Sequence, residues 1–164
     1  MIVPAKPKLE FESFYSKTSQ ISNPWDGAIF FRNGREALIS ALKELYIPTQ
    51  SKIVIPAYIC NSIPETLLRY GYEPIFLDVT TELNFSKNKL KEIINSQEIK
   101  AVILVDYFGF ITKKNIQQSK IIKELGVNVI VDRCHSSLSS NEELFSSNSV
   151  DAVIYSIRKT LPVR

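Results

Sequence analysis

Residues 100–109 read KAVILVDYFG, and this stretch decides the fold. It is continuously apolar from Ala101 to Val105, and the polar Asp106 follows at its end. Successive side chains of a strand point to opposite sides, so a strand that is apolar at every position is covered on both faces. The stretch therefore predicts a strand inside a parallel sheet with helices packed on both sides.

The rest of the chain alternates between short apolar runs and helical patterns. The other predicted strands are KIVIPAY (52–58), PIFLDV (74–79), VNVIVD (127–132) and DAVIYSI (151–157). The predicted helices are NGREALISALKELY (33–46), NSIPETLLRYGY (61–72), SKNKLKEIINS (86–96) and TKKNIQQSKIIKELG (112–126). Strand and helix alternating with short connections predict an α/β fold, a mostly parallel sheet in a three-layer αβα arrangement.

Capping residues mark several of the helix ends. Asn33 is a natural N-cap, and Glu36 stands three residues later as in a capping box. Ser86 is the corresponding cap of the third predicted helix. Gly71 and Gly126 follow the ends of two helices, where a glycine accepts the left-handed backbone.

A chain of 164 residues is long enough for one domain with a real core and too short for two ordinary ones. We expect a single domain over residues 1–164, with residues 1–30 as an irregular lead-in to the first helix. The serine-rich stretch HSSLSSNEELFSSNS (135–149) reads as a polar connection with a short helix, and not as a linker between domains.

Composition narrows the classes of function. The chain is 45% hydrophobic and 23% charged with a net charge of +3, and no basic block indicates a nucleic-acid partner. Its two cysteines, Cys60 and Cys134, lack the spacing of a metal site or a disulfide framework, so reduced thiols in a cytoplasmic protein are expected. The amino terminus does not read as a signal peptide, and no apolar run is long enough to predict a membrane span.

Polar groups fall where the predicted strands end or the first helix begins. Ligands of an open parallel sheet bind outside the carboxyl ends of its strands. Taken singly, each group has an ordinary structural explanation: a helix cap, a turn cap, a structural histidine or an exposed lysine. These groups are Gly34 and Arg35, Asp106, Asp132 with His135, and Ser156 with Lys159.

The combination points to one kind of chemistry. A helix N-terminus offers amide groups and a positive dipole end to a phosphate. A carboxylate can hold a protonated ring nitrogen, and a lysine amine can react with an aldehyde. Pyridoxal phosphate requires these three groups, and it withdraws electrons only if its ring nitrogen has an acidic partner.

In this order, the segments NGREAL, IPAYIC, PIFLDV, VDYFG, VDRCHS and SIRKTLP resemble the fold type I pyridoxal-phosphate enzymes. Among these they are most similar to the DegT-type sugar aminotransferases, from about residue 30 to the end of the chain. The resemblance implies an incomplete large domain of that fold. The family continues with a glycine-rich turn, a further strand and a carboxy-terminal small domain, so the chain reads as the amino-terminal part of a longer enzyme.

The resemblance also implies catalytic roles for three residues. Asp132 would pair with the ring nitrogen of the cofactor and remain ionised beside its positive charge. His135 would lie near the phenolic oxygen. Lys159 would bind the cofactor aldehyde and later move the substrate proton, for which it must pass through a neutral amine.

The remaining candidate residues would hold the cofactor. Ser156 and the amides of Gly34 and Arg35 would bind the phosphate, and Tyr107 and Phe108 would help to wall the site. Relatives place an aromatic ring over the cofactor in the segment after the second strand's proline. Here an ungapped alignment puts Cys60 at that position, so either Tyr58 substitutes for the missing ring or the stacking is lost.

The resulting expectation is a pyridoxal-phosphate-dependent aminotransferase, a homodimer when full length. It would transfer an amino group from glutamate to a nucleotide-linked keto sugar in polysaccharide or related sugar biosynthesis. A related dehydration remains open, as does a vestigial cofactor-binding module without turnover. A nucleotide-binding Rossmann domain predicts a Gly-x-Gly-x-x-Gly turn, which none of the five glycines forms.

Overall fold

The structure, a computed structural model, describes residues 27–109, 113–136 and 149–160. The predicted helix within 135–149 lies outside the described residues. The elements, in chain order, are α1 (Gly34–Glu44), β1 (Lys52–Pro56), α2 (Ser62–Arg69), β2 (Glu73–Leu77), α3 (Lys87–Ser96), β3 (Ile99–Val105), a 3-10 turn (Tyr107–Gly109), α4 (Lys113–Glu124), β4 (Asn128–Arg133), β5 (Ala152–Tyr155) and α5 (Ile157–Thr160).

The five strands form one sheet in the order β2-β1-β3-β4-β5, and all four neighbouring pairs are parallel. The sequence-based prediction of a parallel α/β fold is therefore confirmed. Every predicted strand lies within two or three residues of its observed position, except that KAVILVDYFG ends as a strand at Val105 and then turns. Helix α5 was not predicted.

Two apolar clusters cover the two faces of the sheet, which makes three layers. Helices α1 and α2 pack on one face, which we call the near face; the helical core there includes Leu38, Leu42 and Leu67. Helices α3 and α4 pack on the other face, the far face, where Leu90 and Ile122 are fully buried. Full burial of an aliphatic side chain contributes about 1.5–3 kcal/mol, so the apolar strands predicted from the sequence stabilise the sheet from both sides.

The strand residues alternate between these two layers. Ile103 and Ile130 pack in the near-face core, whereas Leu104 and Val131 pack in the far-face core. This alternation fixes the side of the sheet to which each polar residue at a strand end belongs.

The helix ends agree with the predicted caps in part. The Asn33 side chain accepts hydrogen bonds from the amides of Arg35 and Glu36 at 3.1 and 3.0 Å. The Glu36 carboxylate accepts a hydrogen bond from the Asn33 side chain and not from the Asn33 backbone N–H, so the capping box is only half formed. Ser86 occupies the N-cap position of α3 as predicted, but its side chain makes no capping hydrogen bond within the described part of the chain. After α4, Gly126 has the expected positive φ of 74°.

Candidate functional site

The carboxyl ends of all five strands lie at the same edge, because the sheet is wholly parallel. The segments that follow β1, β3, β4 and β5 carry Tyr58 and Cys60, Tyr107, His135, and Ser156 with Lys159. Asp132 itself lies on β4, one residue before its end. The parallel order thus brings the candidate residues of four separate segments to one end of the sheet.

Asp132 lies on the near face, since it follows Ile130 in the alternation of β4. Its Oδ1 accepts a hydrogen bond from the amide of Cys134 at 2.9 Å, which fixes the turn that leads to His135. Burial raises the pKa of the Cys134 thiol to about 12, and the Asp132 carboxylate adds to this effect. Cys134 is therefore a protonated, structural thiol at neutral pH.

His135 and Lys159 are in direct contact across the site. Lys159 Nζ lies 3.2 Å from His135 Nε2, although the two residues are 24 positions apart in the chain. The pKa of His135 is lowered, first by burial and then by the positive charge of Lys159, while Asp132 acts in the opposite direction. A neutral imidazole at pH 7 can accept a hydrogen bond from the lysine ammonium group. The structure thus brings together the imidazole and the amine of the predicted catalytic set, with the Asp132 charge acting on the same imidazole.

The beginning of α1 lies beside this cluster. A Cβ placed on Gly34 would be 3.7 Å from the Cys134 sulfur, so the helix N-terminus lies against the turn after Asp132. The amide of Arg35 is already bound by the Asn33 side chain. An anion that uses this amide would have to displace that side chain.

Tyr58, Tyr107 and Cys60 form a second wall. The buried Tyr107 hydroxyl donates to the carbonyl oxygen of Tyr58 at 2.6 Å, and the two rings are 5.6 Å apart. Tyr58 is 56% exposed, so its ring packs on Tyr107 on one side only. Phe108 is exposed and has a positive φ of 55°.

The Cys60 thiol is exposed at the start of α2. The Ser62 hydroxyl donates to its sulfur at 3.3 Å. This hydrogen bond is the main cause that lowers the pKa of Cys60, and the charge of Lys159 contributes further. The Cys60 thiol therefore lies close enough to Lys159 for the lysine charge to lower its pKa.

Ser156 begins the turn that carries the lysine. Its carbonyl oxygen accepts a hydrogen bond from the amide of Lys159 at 3.1 Å, which closes the short helix α5. Ser156 and Gly34 both line a cleft of about 720 Å³ between β5 and residues 27–34. Asp132, His135 and Lys159 do not line this cleft, so it borders the candidate catalytic cluster without containing it.

Asp106 does not belong to this cluster. It follows Leu104 in the alternation of β3 and lies on the far face, where its Oδ2 is 3.1 Å from Nε of Arg133. Both side chains are fully buried. Arg133 was not among the residues predicted from the sequence, although a lone arginine within a buried strand is a signal for a buried anionic partner.

The site residues fit pyridoxal phosphate by their chemistry. An acid, an imidazole and a primary amine converge, and a helix N-terminus lies beside them.

Within the described residues, no group of three or more His, Cys, Asp or Glu side chains is arranged to hold a metal ion. No helix in the same part of the chain is long and apolar enough to cross a membrane.

One family of known proteins matches the chain. The DegT/DnrJ/EryC1/StrS aminotransferase family matches residues 12–156. A DegT/DnrJ/EryC1/StrS aminotransferase from Brucella abortus is 26% identical with a TM-score of 0.55, over 64% of this chain and 30% of that one. No curated protein sequence matches the chain.

Two further solved structures are similar to it. GDP-4-keto-6-deoxymannose-3-dehydratase with bound GDP-perosamine is 25% identical with a TM-score of 0.54, over 65% of this chain and 28% of that one. NtdA from Bacillus subtilis with the cofactor PMP bound shares the fold at 22% identity and a TM-score of 0.55, over 62% of this chain and 23% of that one. The chain thus spans less than a third of the length of these relatives. Because the family match covers most of its residues, the chain belongs to the DegT/DnrJ/EryC1/StrS aminotransferase family.

Proposed function

We propose that the chain is the amino-terminal, cofactor-binding part of a pyridoxal-phosphate-dependent sugar aminotransferase. The observation that carries the proposal is the contact of Lys159 with His135 at the sheet edge where Asp132 also lies. Family membership supports it, since enzymes of this family use pyridoxal phosphate and one solved relative holds its amine form, PMP.

Bound pyridoxal phosphate supplies an electron-withdrawing ring, and the residues of this chain provide the rest. In this proposal Asp132 would hold the proton on the ring nitrogen. Lys159 would attach the cofactor covalently and would carry the proton that moves during the reaction. His135 is held as a neutral acceptor by burial and by Lys159, and it orients groups near the phenolic oxygen.

The phosphate and the ring need separate binding groups. Ser156 and the amides of Gly34 and Arg35 are proposed to bind the phosphate, with the Asn33 side chain released from the Arg35 amide. Tyr58 and Tyr107 would wall the ring, and Cys60 would lie where relatives place an aromatic side chain.

The proposed substrates rest on family membership. We propose an amino-acid donor, glutamate, and a nucleotide-linked keto sugar as acceptor, in polysaccharide or related sugar biosynthesis. A relative that is a 3-dehydratase of a GDP-linked keto sugar shows that the same fold also serves dehydration. The complete enzyme is proposed to be a cytoplasmic homodimer with a carboxy-terminal small domain.

The test is covalent capture of the cofactor. The chain is mixed with pyridoxal phosphate and reduced with borohydride, and the modified peptide is identified by mass. We expect the label on Lys159 and its loss in Lys159→Ala, with Lys120→Ala, an exposed residue of α4, as the matched control. A label that persists in Lys159→Ala contradicts the assignment.

Adding glutamate then separates the two functional hypotheses, because a vestigial module would bind the cofactor without converting it to its amine form.

A further inference from the structure

A second polar group lies on the far face, directly behind the candidate site. We call Asp106, Arg133 and Tyr155 the far-face clamp. Arg133 Nε lies 3.1 Å from the Asp106 carboxylate, and its Nη1 donates to the Tyr155 hydroxyl at 3.2 Å. The guanidinium group also lies 5.5 Å from the centre of the Tyr155 ring. Asn115 of α4 donates to the other Asp106 oxygen at 2.8 Å.

The clamp connects the ends of three of the four strands that are followed by candidate site residues. Asp106 follows β3, Arg133 ends β4 and Tyr155 ends β5. Each clamp residue is the immediate chain neighbour of a candidate site residue. Those neighbours are Tyr107, Asp132 and Ser156. Since strand side chains alternate, the clamp and the site occupy the same level of the sheet on opposite faces.

Strand β5 depends most on this connection. It pairs with β4 over only four residues, and the last of these pairs is Arg133 with Tyr155. Its other edge is paired with no strand among the described residues. The clamp therefore adds a side-chain link at the point where the chain leaves β5 for Ser156 and Lys159.

A contribution to stability is a weak explanation for this group. Burial raises the pKa of Asp106, although the contacts with Asn115 and Arg133 act in the opposite direction. These contacts therefore do not fully offset the cost of removing the carboxylate from water. Replacing a buried ion pair by apolar residues of similar volume is often neutral or stabilising. Apolar residues cannot reproduce the ion pair with Asp106 and the hydrogen bond to Tyr155, by which Arg133 is linked to the ends of both neighbouring strands.

We infer that Arg133, through the far-face clamp, is a positioning residue that sets the distance between the carboxyl ends of β4 and β5. It thereby keeps Lys159 beside His135 and close to Asp132. This inference rests on the proposed function for its catalytic meaning, but the geometry that it concerns is measurable without cofactor.

The chain contains one histidine, so a single imidazole signal reports on the site in nuclear magnetic resonance spectra. Two variants loosen the clamp without adding charge near His135. Tyr155→Phe removes only the hydroxyl that accepts from Arg133. The double variant Asp106→Leu, Arg133→Met removes both buried charges together, so their direct electrostatic effects on His135 oppose each other. Ile122→Val, in the far-face core, is the control for a general loss of packing.

We expect both clamp variants to remain folded, the double variant with an unfolding temperature equal to or above that of the original chain. The titration midpoint of His135 should move upward toward the ordinary value of about 6.5, because Lys159 and the surrounding protein move away from the imidazole. Labelling of Lys159 by pyridoxal phosphate should slow by about tenfold, since small displacements of reacting groups are costly. Ile122→Val should lower the unfolding temperature and leave both site measurements unchanged.

An unchanged midpoint and an unchanged labelling rate in folded clamp variants would reduce the clamp to a structural role and overturn the inference. Absence of any Lys159 label in the original chain would instead contradict the proposed function. The His135 titration would still decide the role of the clamp in that case.

Discussion

Replacing Gly109 with alanine should displace the backbone of His135. Gly109 has a φ of +86°, and a Cβ added there would lie 3.0 Å from the carbonyl oxygen of His135. A contact of this length is tighter than nine in ten of those that real Cβ atoms make, so the backbone around His135 must shift by a few tenths of an ångström. Gly126 is a matched control, because its φ is +74° and a Cβ there would meet nothing within 4 Å in the described part of the chain.

Both substitutions place alanine in a left-handed backbone, and only Gly109→Ala also overpacks its surroundings. A left-handed backbone costs a non-glycine residue about 1–2 kcal/mol, and the lower entropy of the unfolded chain returns about 0.4–1 kcal/mol. Gly126→Ala should therefore destabilise the chain by about 1 kcal/mol. Gly109→Ala carries in addition the overpacking cost of about 1–3 kcal/mol, which gives a total of about 2–4 kcal/mol.

Urea unfolding measures the two free energies, and the imidazole signal of His135 reports on the site. We expect a changed chemical shift and titration midpoint for His135 in Gly109→Ala and none in Gly126→Ala. Equal destabilisation by the two substitutions, with the His135 signal unmoved in both, would refute the contact and with it the placement of the turn after β3 against the turn after β4.

Three further outcomes are expected. Asn33→Ala removes the oxygen that caps α1, and urea unfolding should show a loss of about 1 kcal/mol. The titration midpoint of His135 should lie below about 6.5 and should rise in Lys159→Ala, which removes a nearby positive charge. Because the pKa of His135 is lower in the folded chain than in the unfolded chain, the unfolded chain binds the proton more tightly between these two pKa values. The contribution of His135 to stability is therefore complete above about pH 6.5 and falls as the pH drops toward the folded pKa. Phe30 is 68% exposed and lines the same cleft as β5, whose outer edge is paired with no strand in the described ranges. Light scattering should therefore show self-association of the chain, which Phe30→Lys should reduce. Tyr46→Lys, at a 91% exposed position elsewhere, should not reduce it.

The sheet and its two covering layers could be predicted because their signal is local. Continuous apolar runs such as Ala101–Val105 report burial on both faces, and glycines such as Gly126 mark the helix ends. A serine just before a helix predicts a side-chain capping bond less reliably. Ser86 has the right side chain for a cap, but whether its hydroxyl turns toward the amides is decided by rotamer and packing, which the sequence does not contain.

The sequence predicted which residues lie at the strand ends, but not which of them face the candidate site. His135 and Lys159 could be placed together because the carboxyl ends of parallel strands share an edge. Asp106 also follows a strand end, yet it faces the opposite layer. Its side depends on the register between β3 and β4, a long-range property to which composition and periodicity give no access.

Register connects the fold with the proposed chemistry. A slip of β4 by one residue would exchange the faces of Asp132 and Arg133, since successive side chains point to opposite sides. The guanidinium group would then enter the site beside Lys159, and the Asp132 carboxylate would be buried opposite Asp106, where two like charges repel. Only the observed register pairs Arg133 with Asp106 and leaves Asp132 on the face of the candidate site. The far-face clamp therefore selects the same register that the candidate site requires, which is why a buried ion pair of little net stability belongs at this position.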